Sequence, residues 1–116
     1  FNEKKIGKIK LDNNYVLEQN NHFIKPAAKL FNPVNNLNLN LWTDQPGIQV
    51  YTANFVKKSS EVYQNCKDGV TYDQYGAICL ETQNYPDAIN RKGSFPPCIL
   101  RPGQVYRNVS SYRFKW

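Results

Sequence analysis

Leu37, Leu39 and Leu41 alternate with Asn38, Asn40 and Trp42. That period of two belongs to a β-strand with one face turned toward a core. Asp44-Gln45-Pro46-Gly47 follows and reads as a turn, with proline presetting φ and glycine supplying a positive φ where one is required. Residues 48–55 are rich in β-branched and aromatic side chains and predict the next strand. Residues 77–82 predict another, short and apolar. Arg101-Pro102-Gly103 predicts a second turn. Residues 104–116 then predict a last strand, with Tyr106, Tyr112, Phe114 and Trp116 on one face and Arg107, Arg113 and Lys115 on the other. This is the half-buried antiparallel pattern. Residues 15–17 and 23–31 predict two further strands, and Pro26 calls for an edge or a bulge in the second. Residues 57–69 are polar and predict a long surface loop. No stretch carries a 3.6-residue period, so the predicted fold class is all-β. Asparagine is dense at residues 13–14 and 35–40, but the leucine alternation argues for order there.

Composition narrows the picture. The 116 residues suffice for one small domain, and eight tyrosines and six phenylalanines can supply its core, so disorder is not expected. No stretch approaches the ~20 apolar residues that span a bilayer, and no signal-peptide pattern opens the chain. The sequence begins at Phe1, which reads as a processed product or a partial sequence. The net charge is +6, but Lys4, Lys5, Lys8, Lys10, Lys57 and Lys58 are scattered. A solvated basic face accounts for them, and neither nucleic acid nor membrane is an expected partner. The three cysteines, Cys66, Cys79 and Cys98, form no CxxC motif, and His22 is the single histidine. A metal site is therefore not expected. Free thiols in a reducing compartment, the cytoplasm, fit this usage, with Cys79 buried in its apolar run. Asn108-Val109-Ser110 is a glycosylation sequon, without meaning unless the protein is secreted.

The residues alone offer few chemical candidates. There is no glycine-rich phosphate loop, no Ser-His-Asp set and no metal cluster. Asp12, Asp44, Glu81 and Asp87 are the carboxylates expected to be held by structure. Glu81 ends the apolar run Ala77-Ile78-Cys79-Leu80, where partial desolvation raises a carboxylate's pKa and makes it a better base. A strand-end glutamate paired with Arg or Lys, or simply solvated, is the plainer reading of the same residue. The residues alone favour it.

Three ordered blocks change that weighing. Leu80-Glu81-Thr82-Gln83-Asn84-Tyr85-Pro86-Asp87, followed by Phe95-Pro96-Pro97, Leu100-Arg101-Pro102-Gly103 and Tyr106, resembles the signature of the aldose 1-epimerase (galactose mutarotase) family. Gln45-Pro46-Gly47-Ile48-Gln49-Val50-Tyr51-Thr52-Ala53-Asn54-Phe55 is similar to that family's Gln-Pro-Gly-Val-Gln-x-Tyr-Thr-Gly-Asn-Phe. Leu11-Asp12-Asn13-Asn14-Tyr15-Val16-Leu17 is similar to its Phe-Asp-His-Asn-Phe-x-Leu. The resemblance implies a large antiparallel β-sandwich of the galactose mutarotase type. Residues 1–116 would form its C-terminal portion, with the upstream part absent from this sequence or supplied by another chain. It implies Glu81 as the general base that takes the anomeric hydroxyl proton. It implies Gln49 and Asp12 as hydrogen-bonding partners of a monosaccharide, galactose or glucose. No metal and no cofactor is implied.

Two departures matter. Asn13 stands where the family motif has a histidine, which alters local support. The family's acid histidine and its companion lie upstream of the matching region, and His22 matches neither. The segment thus carries the base side of the site without the acid side, and by itself is expected to be inactive. A catalytically silent mutarotase-like module, with a structural or carbohydrate-binding role in a larger assembly, is the alternative. Pro46-Gly47 and Pro102-Gly103 are expected to be turns, and Asn54 and Asp87 to tie loops to backbone amides.

Overall fold

A computed structural model describes residues 7–18, 23–56, 67–69 and 72–116. It holds six strands: β1 (Asp12–Val16), β2 (Lys25–Asn32), β3 (Leu37–Thr43), β4 (Gly47–Tyr51), β5 (Cys79–Gln83) and β6 (Ser110–Lys115). Two single 3₁₀ turns, Lys67–Gly69 and Ala88–Asn90, are the helical elements among the described residues. The all-β expectation holds. The strands form two three-stranded sheets, ordered β1-β4-β5 and β2-β3-β6. No helix among the described residues is long and apolar enough to cross a membrane. His22, Cys66, Lys4, Lys5, Lys57, Lys58 and most of the predicted 57–69 loop lie outside the described residues.

The chain divides into two compact units, Phe1–Asn13 with Gln49–Glu81, and Asn14–Ile48 with Thr82–Trp116. In the second unit the leucine strand pairs antiparallel on both sides. Leu39 faces Leu30 of β2 and Phe114 of β6, and Leu41 faces Ala28 and Tyr112. Leu41 is 1% exposed, a burial worth ~1.5–3 kcal/mol. Thr43, on the same face, is fully buried because its hydroxyl is satisfied: it donates to the Val109 carbonyl at 3.0 Å and accepts from the Gln45 amide at 3.1 Å. Pro26 sits on an edge strand, and the register shifts between Pro26 and Ala28, so the predicted edge and the predicted bulge are both present. On the opposite face of β3, the Arg113 guanidinium lies 5.5 Å from the Trp42 ring centroid.

Several boundaries and exposures differ from the sequence expectation. The last strand begins at Ser110, not at residue 104, and its aromatic face is open: Tyr112, Phe114 and Trp116 are all exposed. Alternation gives the face of a side chain but not what covers it. The 48–55 strand ends at Tyr51, because Ala53 turns into the left-handed region at φ 52. Thr52 beside it is buried, its hydroxyl donating to the Ile9 carbonyl at 2.7 Å and accepting from the Leu11 amide at 3.0 Å. The strand predicted at 77–82 is shifted to Cys79–Gln83, and Cys79 is half-buried rather than buried. The Pro102-Gly103 turn forms as expected, with Gly103 at φ 84 and the Gln104 amide donating to the Arg101 carbonyl at 3.0 Å.

Gly47 needs a different explanation from the one its turn context offered. It does not take a positive φ. A Cβ placed there would lie 2.8 Å from Asn14 Oδ1 and 3.2 Å from Tyr85 Cδ1, so the position is one of close approach.

Candidate active site

β1 and β4 run antiparallel. The Thr52 amide donates to the Leu11 carbonyl at 3.1 Å, and the Leu17 amide to the Pro46 carbonyl at 2.9 Å. Between those bonds the numbers rise along one strand as they fall along the other. In the first unit this pairing brings together two of the three residues singled out from the sequence. Gln49 Nε2 donates to Asp12 Oδ1 at 2.7 Å, a short charge-assisted bond. It fixes both rotamers. Among the described residues the second carboxylate oxygen, one amide proton and the amide oxygen have no further hydrogen bond, so the pair offers both donors and acceptors.

Glu81 stands on β5, the neighbour of β4 on the side away from β1. Its side chain is exposed and makes no hydrogen bond or ion pair among the described residues. Of the two readings weighed from the residues, a partly desolvated Glu81 and a paired or solvated one, the structure has the solvated one, and Glu81 is not held by a side-chain partner among the described residues. Residues 77–82 are not a buried run, since Ala77 and Ile78 are exposed and Cys79 and Leu80 only half-buried. Along β5, Glu81 shares its face with Gln83, and along β1, Asp12 shares its face with Asn14.

Of the other carboxylates, Asp44 Oδ1 accepts from the Val109 amide at 3.0 Å and from Gln45 Nε2 at 3.1 Å. Asp87 departs from expectation: its partners are side chains, Asn90 Nδ2 and Arg91 Nε, the latter at 3.1 Å. Asn54 is buried, and it is its backbone carbonyl that ties a loop, accepting from Gln74 Nε2 at 2.7 Å. Among the described residues no group of three His, Cys, Asp or Glu could hold a metal ion.

Sequence reasoning did not single out Asn14 and Gln83. In the second unit Gln83 Nε2 donates to Asn14 Oδ1 at 3.2 Å, and the two amides meet over Gly47 of the strand between them. A signal was available: each lies two residues beyond a site candidate, the spacing that shares a strand face. On β5, the intervening Thr82 hydroxyl is 2.6 Å from Ser110 Oγ, which lies 3.2 Å from Thr43 Oγ1.

The sequence profile described as aldose 1-epimerase matches residues 2–113. The chain belongs to that family. It is 35% identical over 103 residues to galactose mutarotase of Mus musculus and 36% over 105 residues to that of Homo sapiens. It is 27% identical over 104 residues to aldose 1-epimerase of Escherichia coli (strain K12). Each alignment covers 89% of this chain, but only 28% of the two mammalian mutarotases and 29% of the bacterial epimerase. The chain therefore spans less than a third of the length of these relatives. The all-β architecture agrees with membership of the aldose 1-epimerase family.

Proposed function

We propose that the full-length protein carrying this chain interconverts the α and β anomers of a free aldose, galactose or glucose. Glu81 takes the proton from the C1 hydroxyl while an acid, a histidine outside this segment, protonates the ring oxygen. The C1–O5 bond breaks, C1 rotates, and the aldehyde recloses on its other face as both protons return. Two proton transfers open the ring and the two reverse transfers close it, so the chemistry calls for no metal and no cofactor. Asp12 and Gln49 orient the sugar. The chain is read as the C-terminal portion of one β-sandwich domain, and as cytoplasmic on its free Cys79 and Cys98 thiols.

The observation that carries this reading is the Asp12–Gln49 hydrogen bond, a preset polar pair on β1 and β4 of the sheet whose third strand holds Glu81. Small-ligand sites combine a few converging polar groups in this manner. An exposed Glu81 fits a base that must meet its substrate from solvent.

The test is polarimetry on freshly dissolved α-galactose and α-glucose, corrected for spontaneous mutarotation. The full-length protein is expected to accelerate the approach to equilibrium. Glu81→Gln keeps the shape but removes the basic oxygen, so the rate is expected to fall ~10²–10⁴-fold, the usual worth of general-base catalysis. No acceleration of either sugar by the wild type defeats the enzyme reading in favour of a silent module. An active wild type with an equally active Glu81→Gln keeps the activity and removes Glu81 as the base.

A further inference from the structure

We propose that the Asn14–Gln83 hydrogen bond is a positioning clamp for the epimerase reaction, and that Gly47 is glycine so that the clamp can close. The proposal rests on the function proposed above. Neither amide is assigned contact with the sugar.

β1 and β5 are not neighbours, since β4 lies between them. Two strand spacings, roughly 9.5 Å, separate such strands. A hydrogen bond between their side chains must pass over the middle strand. Gln83 Nε2 reaches Asn14 Oδ1 at 3.2 Å, part-buried, across 69 residues of sequence. It does so where the middle strand has no side chain. A Cβ at Gly47 would sit 2.8 Å from the accepting Oδ1 and 3.1 Å from Nδ2 of the same amide, taking the room that the acceptor occupies. The bond therefore ties the two outer strands at a fixed separation and holds the rotation of each about its own axis.

Those outer strands carry the proposed chemistry. Asp12 precedes Asn14 by two residues and Glu81 precedes Gln83 by two, so each clamp residue shares its strand face with a site residue. Among the described residues Glu81 has no side-chain hydrogen bond to set its direction. Its placement depends on the strand that bears it. A proton transfer is sensitive to such placement, because a displacement of about 1 Å can cost ~10²-fold in rate. A tie that served only to stabilise the sheet would show in the thermal midpoint and leave turnover alone.

The experiment uses the full-length protein and four variants: Asn14→Ala, Gln83→Ala, their combination, and Gly47→Ala. Polarimetry with galactose gives kcat and KM, and thermal unfolding gives the midpoint. Each single variant is expected to lower kcat ~10-fold while KM moves less than ~3-fold. The double variant is expected to be no slower than the slower single, because the two side chains act through one bond. Gly47→Ala presses on the movable end of Asn14 and is expected to give the same loss, with no further loss when added to Gln83→Ala. If an alanine variant does not fold, Gly47→Ala decides. Unchanged kcat, losses that multiply in the double variant, or a shift in the midpoint without a loss of turnover would overturn the clamp. A wild type that fails to accelerate mutarotation removes the proposed function and the clamp with it. An active wild type, an impaired Glu81→Gln and fully active clamp variants remove the clamp alone.

Discussion

Asp12 and Gln49 are 37 residues apart in sequence, yet each sets the other's rotamer. Removing one partner therefore disturbs the other. Asp12→Asn and Gln49→Ala are expected to weaken sugar binding at least as much as they slow turnover, since the role proposed for both is to orient substrate without accepting its proton. Isothermal titration with galactose beside polarimetry separates the two effects. A variant with unchanged affinity and a lost rate would move Asp12 or Gln49 into the proton-transfer role. Thr43 offers a contrast in which the effect is on stability. Thr43→Val keeps the volume but leaves the buried Gln45 amide without its partner, while the Val109 carbonyl keeps the Asp44 amide, so unfolding is expected to be easier by ~1–3 kcal/mol in urea titration. At this scale residue types and motif blocks made Asp12, Gln49 and Glu81 legible as candidates. The Asp12–Gln49 bond was not legible, because alternation assigns a face but no rotamer. Gly47 was misread for a related reason, since a glycine beside a proline is the same in sequence whether it serves a turn or makes room for Asn14.

At the scale of elements, β3 holds the second unit's sheet together. It pairs with both neighbours and buries Leu41. Leu41→Ala is expected to cost ~2–5 kcal/mol, read as a lowered urea midpoint at unchanged slope. The Pro102-Gly103 turn makes a smaller demand. Gly103→Ala forces a Cβ into the left-handed region with nothing crowding it, so the loss is expected to be ~1–2 kcal/mol of backbone strain. The leucine alternation predicted β3 correctly, and Pro26 announced both an edge and a bulge, since proline cannot donate to a ladder. The ends of β4 and β6 were harder to read. β4 stops where the Thr52 hydroxyl and the Ala53 backbone are engaged with distant segments, and local β-propensity carries no record of that. β6 starts late although residues 104–109 carry strand-like side chains, because pairing with β3 begins only at Ser110.

For the molecule as a whole, the balance of covered and open surface sets expectations. Among the described residues the buried apolar side chains are Leu41, Ile48, Ala53 and Ala88, a small set. Phe114 and Trp116 are 54% and 92% exposed. Expressed alone, the chain is expected to enhance the fluorescence of 8-anilinonaphthalene sulfonate and to unfold over a broad temperature range. The full-length protein is expected to bind the dye weakly and to unfold sharply. A sharp transition and no dye binding by the isolated chain would show that it is self-sufficient. The packing of Arg113 on Trp42 also has an optical consequence. The two tryptophans are a half-buried indole beneath a fixed positive charge and an open indole near the chain's end. Caesium ions are repelled from the first and reach the second, whereas neutral acrylamide is not turned away by charge. Comparing the two quenchers thus gives separate optical channels for Trp42 and Trp116. The Trp42 channel should lose its charge selectivity at the moment β6 parts from β3.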